Sequence, residues 1–306
     1  MPLRPLIALL GPTACGKSAL ALDLAHGFGL DIVNCDSRQI YREMEIGTAK
    51  PGATERAAAP HHLFDLVTPG ERFSAGEYAR KAAACCETLW NHGRIPLLVG
   101  GTGFYYDALT EGLPEETGNP GLQKQLQERL ATKGLQQLLD ELERLDPAGA
   151  ASIDRHNSRR VTRALELVLS SGQPLAQAWK RQGALEAEIL CISVTIDRGL
   201  LHKRIASRVD AMLAAGLAGE ARSLLEKYGP DAPGMQTIGY SEWADPQALE
   251  SEVRESIIIH TRQYAKRQET WFRKRPGGKQ HDLEHSETKI IIDNLIRTFL
   301  GNQNGG

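Results

Sequence analysis

An eight-residue pattern near the start of the chain constrains the fold more than any other feature. It reads Gly11-Pro12-Thr13-Ala14-Cys15-Gly16-Lys17-Ser18 and matches G-x-x-x-x-G-K-[ST], the phosphate-binding loop (P-loop). An apolar run at 6–10 precedes it and an Ala- and Leu-rich run at 19–25 follows it, which predicts the order strand, loop, helix. Backbone N–H groups, the helix N-terminus and Lys17 would bind phosphate oxygens, and the Ser18 hydroxyl would bind Mg²⁺. The pattern therefore predicts that the chain binds a di- or triphosphate.

The spacing of apolar runs predicts that the rest of the fold is α/β. Three further runs predict strands of a parallel sheet with flanking helices, at residues 31–36, 95–99 and 189–196. Strand-like runs disappear between 114 and 187, where Leu- and Gln-rich helical stretches take their place. We therefore predict a P-loop catalytic core formed by residues 1–113 and 188–306, with an inserted all-helical domain at 114–187.

Composition limits the classes of protein that fit this chain. Of its 306 residues 41% are hydrophobic and 24% charged, and no apolar run approaches the roughly 20 residues of a membrane span. The five cysteines form no C-x-x-C pair, and the N-terminus leads directly into the first predicted strand without space for a cleavable signal. We expect a cytoplasmic protein without a zinc site. Because the net charge is only −2, any surface that binds nucleic acid must be local.

Polar residues follow two of the predicted strands, at the sheet edge where ligands gather in parallel sheets. Asp36 ends the second strand and could hold Mg²⁺ or act as a base, whereas capping of a following helix is the alternative. The stretch Asp36-Ser37-Arg38-Gln39 forms a polar patch beside the P-loop. The third strand leads into a second glycine turn, Gly100-Gly101-Thr102-Gly103. The Thr102 hydroxyl could face the same phosphates.

Two pairs of arginines have the spacing of neighbours on a helix face. Arg159 and Arg163 belong to the first pair, and no acid occurs among residues 155–163, which favours contact with a phosphate backbone over a solvated surface. Arg204 and Arg208 form the second pair. Their guanidinium groups could reach the bound phosphates or form surface ion pairs with nearby acids, of which the candidates are Asp197 and Asp210.

A long helix predicted near the C-terminus combines an apolar face with basic flanks. Apolar residues recur at seven-residue spacing between 252 and 274 and indicate one packed face. Arg262, Lys266 and Arg273 fall on one flank of that face. A helix with this distribution suits a polyanion such as nucleic acid.

Eight motifs follow one another along the chain: Gly11–Ser18, Asp36–Gln39, Ile46–Pro51, Gly100–Gly103, Arg163–Glu166, Gln236–Tyr240, Thr261–Gln268 and Thr270–Arg273. Taken in order, they resemble those of the bacterial tRNA dimethylallyltransferase family over roughly residues 5 to 275. A P-loop alone would be shared with kinases, whereas the series as a whole is specific.

The resemblance implies transfer of a dimethylallyl group from dimethylallyl diphosphate to N6 of the adenine 3′-adjacent to the tRNA anticodon. Diphosphate is released, Mg²⁺ assists, and the base is flipped out, as is usual for enzymes that act on a base. In the family, the acid after the second strand takes the proton of the attacking amine, and here that residue is Asp36. Lys17, Thr102 and Arg208 would act on the diphosphate. No membrane is implied, and we expect a monomer.

The resemblance and the basic helix together give a set of candidate tRNA contacts. The chain departs from the family pattern at Cys15, where Ser is usual, at Ser18, where Thr is common, and at His156-Asn157, which replaces a more usual Asn-Asp pair. Gln123 stands where the family commonly has arginine, and Lys124 follows it. The candidate contacts are Asp36, Ser37, Arg38, Gln39, Thr102, Gln123, Arg159, Arg160, Val161, Thr162, Arg163, Arg262, Lys266 and Arg273.

Three other readings of the motifs stay open from the sequence. A small-molecule kinase would share the P-loop and could use residues 155–163 as a phosphate-binding lid. A transferase that prenylates free adenine nucleotides would need neither the basic helix nor the inserted domain. A regulatory nucleotide switch is the third, but the N-K-x-D pattern that reads guanine is absent. ATP hydrolysis stimulated by a metabolite, or diphosphate release that requires tRNA, would discriminate among them.

Overall fold

A computed structural model describes residues 3–114, 120–275 and 280–303 of the chain. Its internal contacts divide the chain into two compact units. The first contains the residues up to Leu109 and those from Glu186 onward, and the second is Thr110–Leu185.

The first unit is built on a six-stranded sheet in which every pair of neighbours is parallel. The strand order is β3-β2-β4-β1-β7-β8, so the predicted α/β class is confirmed. The two edge strands are only two and three residues long and are absent from the predicted set. The strands of this sheet are β1 (Arg4–Leu10), β2 (Leu30–Asn34), β3 (His61–His62), β4 (Ile95–Gly100), β7 (Ala187–Thr195) and β8 (Gln280–Asp282).

The central position of β1 follows from its composition. Residues 6–10 are all buried, as expected for a parallel strand that helices cover on both faces. β1 pairs with β4 on one side and with β7 on the other, with Leu9 opposite Val99 and Ile192. The P-loop therefore leaves the sheet at its middle, between the carboxyl ends of two neighbouring strands.

Eight helices of the described residues accompany this sheet. α3 begins at a capping box, in which the Ser74 hydroxyl accepts the Glu77 N–H while the Glu77 carboxylate accepts the Ser74 N–H, as its sequence predicts. The chain between β2 and α2 forms turns without a regular helix or strand. The helices are α1 (Lys17–Phe28), α2 (Ala53–Ala58), α3 (Ala75–Asn91), α4 (Gly103–Thr110, whose last residue belongs to the second unit), α9 (Arg198–Ala214), α10 (Leu217–Tyr228), α11 (Glu250–Arg273) and α12 (Thr288–Gln303).

The second unit is mainly helical and has its own hydrophobic core. Leu126, Leu142 and Leu165 are fully buried within it, and α5 is interrupted at Gly134, which has a left-handed φ of 78°. A short antiparallel ribbon joins two segments of this unit, which the prediction of an all-helical domain did not anticipate. Its elements are β5 (Leu113–Pro114), α5 (Pro120–Leu145), α6 (Pro147–Ser152), α7 (Ser158–Ser171), α8 (Leu175–Ala178) and β6 (Arg181–Gln182).

No helix within residues 3–114, 120–275 and 280–303 combines the length and the apolar character that a bilayer crossing demands.

Candidate active site

A cavity of about 610 Å³ lies in the first unit, at the carboxyl ends of its central strands. Its wall is formed by the P-loop, the stretch after β2, the end of β4 with the glycine turn that follows, and one face each of α9 and α11. Two further loops, at residues 47–49 and 236–239, complete it. A cavity of this size is in the range of small-molecule sites.

The P-loop wraps toward this cavity through two residues with left-handed backbone angles. Gly16 has a φ of 105° and Ala14 one of 63°, a conformation that turns successive N–H groups to one side. Lys17 lines the cavity, and its Nζ donates to the Pro12 carbonyl oxygen at 2.5 Å. Cys15 is fully buried behind the loop. The loop residues that face the cavity are Thr13, Ala14, Gly16, Lys17 and Ser18.

Two arginines of α9 approach the P-loop, and their surroundings differ. Arg208 lines the cavity, where burial lowers the pKa of its guanidinium and the nearby charge of Asp36 partly offsets this effect. Arg204 donates to the Cys15 carbonyl oxygen at 3.2 Å and pairs with Glu284 at 2.8 Å. Arg204 lines the cavity as well, but its guanidinium is already bound to the Cys15 carbonyl and to Glu284. Arg208 is therefore the better placed of the two to act on a bound phosphate.

The surface ion pairs considered for these arginines do not form. Asp210 pairs instead with Arg254, at 2.6 Å. Asp197 caps α9 by accepting the Leu200 N–H at 2.9 Å.

Asp36 lies two residues beyond the end of β2 and lines the same cavity. Its backbone N–H donates to Asn34 Oδ1 at 2.9 Å, and its Oδ1 accepts the Arg38 N–H at 2.8 Å. This turn holds the carboxylate beside the P-loop and does not start a helix, so the helix-cap alternative is wrong. Burial, with the charge of Asp36 as a further cause, raises the pKa of the neighbouring Tyr264 to about 12. The Tyr264 phenol therefore stays protonated at neutral pH.

Thr102 has a different contact from the one expected. Its Oγ1 accepts the Ser37 N–H at 2.9 Å, and the residue lies just outside the cavity lining, whereas Gly100 and Gly101 belong to it. This hydrogen bond links the stretch 36–39, which contains Asp36, to the second glycine turn.

Gln268 of α11 joins two parts of the site, and the sequence analysis gave it no role. Its Oε1 accepts the Thr13 N–H at 2.8 Å, and its Nε2 donates to the Gly101 carbonyl oxygen at 2.8 Å. The side chain is almost fully buried. Gln268 lies three positions after Ala265, on the packed face of the helix. A polar residue on such a face is a signal that could have identified it.

The cavity wall formed by residues 47–49 and 236–239 was also missed as part of the site. Both stretches belong to family motifs, but neither has the periodicity of a helix or strand from which its position could be predicted. Arg267 of α11 lines the cavity as well and lies over the Tyr264 ring, at 5.7 Å from its centroid.

The predicted basic residues of α11 differ in exposure. Lys266 and Arg273 are exposed, whereas Arg262 is half-buried. Its charge is one cause, after burial, of a lowered pKa of His202. Two of the three side chains are therefore fully available to a polyanion in solution.

The candidate tRNA contacts of the second unit also separate into two groups. Arg159 and Arg160 are exposed, and within the described ranges neither has an ion-pair partner. Arg163 pairs with the buried Glu166 at 2.9 Å, and the Gln123 amide donates to the same carboxylate at 2.7 Å. The prediction that Arg159 and Arg163 both contact a phosphate backbone did not take Glu166 into account, which lies on the same helix and pairs with Arg163.

Val161 is a correction to the predicted tRNA contacts. It is fully buried in the core of the second unit, because it shares a helix face with Ala164, Leu165 and Val168. Its side chain cannot contact tRNA. Thr162 is half-buried, and its hydroxyl lacks a hydrogen-bond partner within the described part of the chain.

The chain is similar in sequence to proteins of one kind. The profile of the "IPP transferase" family matches residues 39–275, and that of "Isopentenyl transferase" matches residues 5–59. The tRNA dimethylallyltransferase of Moorella thermoacetica is 42% identical, covering 97% of this chain and 96% of the relative. That of Bordetella avium is 44% identical, covering 97% of this chain and 98% of the relative.

Solved structures of similar fold have related descriptions. The full-length tRNA isopentenylpyrophosphate transferase of Bacillus halodurans superposes with a TM-score of 0.72 and 33% identity, covering 99% of this chain and 98% of that one. A eukaryotic dimethylallyltransferase acting on tRNA gives a TM-score of 0.85 and 26% identity, covering 98% of this chain and 80% of that one.

Proposed function

Since the chain belongs to the tRNA dimethylallyltransferase family, we propose that it transfers a dimethylallyl group from dimethylallyl diphosphate to an adenine of tRNA. The finer assignment is N6 of the adenine 3′-adjacent to the anticodon. The observation that carries the proposal is that the P-loop, Arg208 and Asp36 line one cavity. That cavity has cationic groups for a leaving diphosphate and a carboxylate for a proton.

The reaction requires one bond to break and one to form. The bond between the allylic carbon and the diphosphate oxygen breaks, the electron pair leaves with diphosphate, and a bond from N6 to the allylic carbon forms. Lys17, Arg208 and the P-loop N–H groups would stabilise the negative charge that develops on the diphosphate. Fixed donors at this position lower the barrier without reorganising as the bond breaks.

Asp36 would receive the proton that N6 loses. Its Oδ1 already accepts the Arg38 N–H, which leaves Oδ2 for the adenine amine. A carboxylate held by a backbone turn is well oriented for general-base catalysis. Because N6 of a stacked adenine cannot reach such a recessed group, the base would enter the cavity flipped out of its stack.

Mg²⁺ fits the donor set of the site. Ser18 supplies a hydroxyl oxygen at the cavity, beside Lys17, and Mg²⁺ in phosphate sites is commonly held by one or two protein oxygens together with phosphate oxygens and waters. Bound there, the ion would neutralise charge on the diphosphate. Within the described ranges there is no group of three or more His, Cys, Asp or Glu side chains that could hold a metal ion by itself.

We assign the tRNA contacts to exposed basic and polar groups. In the first unit these are the stretch 36–39, Lys266 and Arg273, with Arg262 in a lesser role, and in the second unit Arg159 and Arg160. Single-stranded loops are where proteins read RNA bases, which agrees with an anticodon-loop target. A monomer acting in the cytoplasm, where tRNA is modified, is the simplest form of the proposal.

The proposal is tested by mass spectrometry of tRNA after incubation with the protein, Mg²⁺ and dimethylallyl diphosphate. We expect a gain of about 68 Da on one adenine, the mass of an added C5H8 unit. Replacing that adenine with inosine, which lacks the exocyclic amine, is the control and should leave the tRNA unmodified. Hydrolysis of ATP stimulated by a small metabolite, without modification of tRNA, would instead support the kinase alternative.

The salt dependence of tRNA binding tests the basic flank of α11. We expect affinity to fall steeply with salt, and changing Arg262, Lys266 and Arg273 to Ala to make the slope shallower. Each lost phosphate contact should reduce the log–log slope by roughly 0.7–0.9. The measurement is a binding titration at several salt concentrations.

The matched control for this triple variant removes equal charge elsewhere. Arg72, Arg80 and Lys81 are exposed, and changing all three to Ala should preserve the slope. If the α11 variant also keeps the parent slope, this helix does not face the RNA.

A further inference from the structure

The carboxylate of one residue, Glu220, binds the backbone of the loop that lines the cavity at residues 47–49. Glu220 belongs to α10 and lies outside the cavity lining. Its carboxylate accepts the N–H groups of Ile46 at 3.0 Å and of Gly47 at 3.2 Å, and the N–H of Glu45 at 3.2 Å. Three successive backbone donors thus converge on one side chain, in a segment without helix or strand to satisfy them.

Tyr240 completes this arrangement from the second loop of the same wall. Its hydroxyl donates to Glu220 at 2.5 Å and accepts the Gly47 N–H at 3.1 Å. The ring is fully buried, and a Cβ on Gly47 would come within 2.5 Å of it. The two loops that line the cavity, 47–49 and 236–239, are therefore packed together and fastened to α10 at one point.

The segment is also fixed beyond the cavity by a buried lysine. The Lys50 side chain is fully buried, and its Nζ pairs with Glu45 at 2.6 Å and with Asp65 at 2.5 Å. Both ends of the segment 45–50 are thereby anchored. Residues 47–49, which lie between these two ends, line the cavity.

The segment in turn orients a side chain within the cavity. Gln39 Nε2 donates to the carbonyl oxygens of Thr48 at 3.1 Å and Ala49 at 3.0 Å. Because two acceptors lie on the nitrogen side, the orientation of the amide is determined and its Oε1 remains as an acceptor. Within the described part of the chain, this Oε1 receives no hydrogen bond. Gln39 lines the cavity three residues from Asp36.

We infer that Glu220 is a positioning residue for the acceptor base: it holds the segment 45–49 and, through it, the acceptor oxygen of Gln39. The inference rests on the proposed function, in which an adenine amine enters this cavity. That amine carries two hydrogens. One passes to Asp36, and the second can be donated to Gln39 Oε1, which fixes the amine while it attacks. Glu220 is therefore expected to affect the reaction with tRNA and not the binding of diphosphate.

The first test replaces Glu220 with Gln, which keeps the shape but removes the charge that three N–H groups share. We expect kcat/KM for tRNA to fall about tenfold, the scale of one weakened charged hydrogen bond, while the Kd for dimethylallyl diphosphate and the melting temperature stay near those of the parent. Glu226→Gln, on an exposed carboxylate of the same helix, should match the parent. An unchanged kcat/KM in Glu220→Gln overturns the inference.

A second variant set distinguishes positioning from general support of the fold. If Glu220 acts through Gln39, the loss caused by Glu220→Gln should largely disappear in a Gln39→Ala background, since coupled residues are non-additive. Tyr240→Phe keeps the buried ring and should lower kcat/KM for tRNA in the same direction. Additive losses, or equal loss of diphosphate binding, show a merely structural role and contradict the inference. Failure of the parent protein to modify tRNA would instead overturn the proposed function and the inference with it.

Discussion

Asp36→Asn is expected to lower the rate of single-turnover prenylation by about 10²- to 10⁴-fold, the usual effect of removing a general base. Both substrates should still bind. The amide is nearly isosteric, and its Oδ1 can keep accepting the Arg38 N–H that shapes the turn, but it cannot take the proton from N6. Single-turnover chemistry and separate binding titrations of tRNA and dimethylallyl diphosphate measure the two effects.

The outcome of this substitution also decides between two roles of Asp36. A magnesium ligand would act on the diphosphate, so its loss would weaken diphosphate binding and spare the chemistry of the bound complex. That result would overturn the assignment as a base. Asp231→Asn is a suitable control, because Asp231 is exposed and lies outside the cavity lining. It should leave both measurements unchanged.

The second large effect is expected at Lys17. Lys17→Ala should weaken binding of dimethylallyl diphosphate by about 10- to 100-fold, because a charge-assisted hydrogen bond contributes about 1.5–3 kcal/mol. Turnover should fall with it, while the melting temperature stays close to that of the parent. Lys17 Nζ bonds to a loop carbonyl in the free protein, so the fold does not depend on this charge for ion pairing.

Lys81→Ala removes the same charge from an exposed position of α3 and serves as the control. Isothermal titration with dimethylallyl diphosphate compares the two variants with the parent. Parent-like affinity and kinetics in Lys17→Ala would contradict the assignment of the P-loop as the diphosphate site.

Periodicity and local chemistry were sufficient to predict the elements that make the sheet. The apolar runs at 6–10, 31–36, 95–99 and 189–196 correspond to β1, β2, β4 and β7. The first three strands are largely buried, as parallel strands covered on both faces are, and β7 is buried at 192–194. The edge strands β3 and β8 are too short to show such a run. Their pairing is determined by neighbours that are distant in the chain.

The site was predictable where a motif carries its own geometry and not where distant segments meet. The P-loop and Asp36 could be placed from the strands that precede them. Glu220 and the partners of Gln268 could not, because both side chains bind backbone groups more than 150 positions away, and no local pattern specifies such a contact. The helical spacing of Gln268 indicates only that this residue lies on the packed face. Val161 was mispredicted for another reason. It was included with neighbouring arginines, although its helical spacing from Leu165 and Val168 indicates burial.

The amide of Gln268 has a consequence for how the two substrates influence each other. It hydrogen-bonds the P-loop at Thr13 and the glycine turn at Gly101, and it belongs to the helix that carries the proposed RNA contacts Lys266 and Arg273. Diphosphate and tRNA would therefore both bind to groups that α11 holds or contacts. Their affinities are expected to be thermodynamically linked, and linkage is reciprocal: whatever factor bound tRNA imposes on diphosphate affinity, bound diphosphate must impose on tRNA affinity.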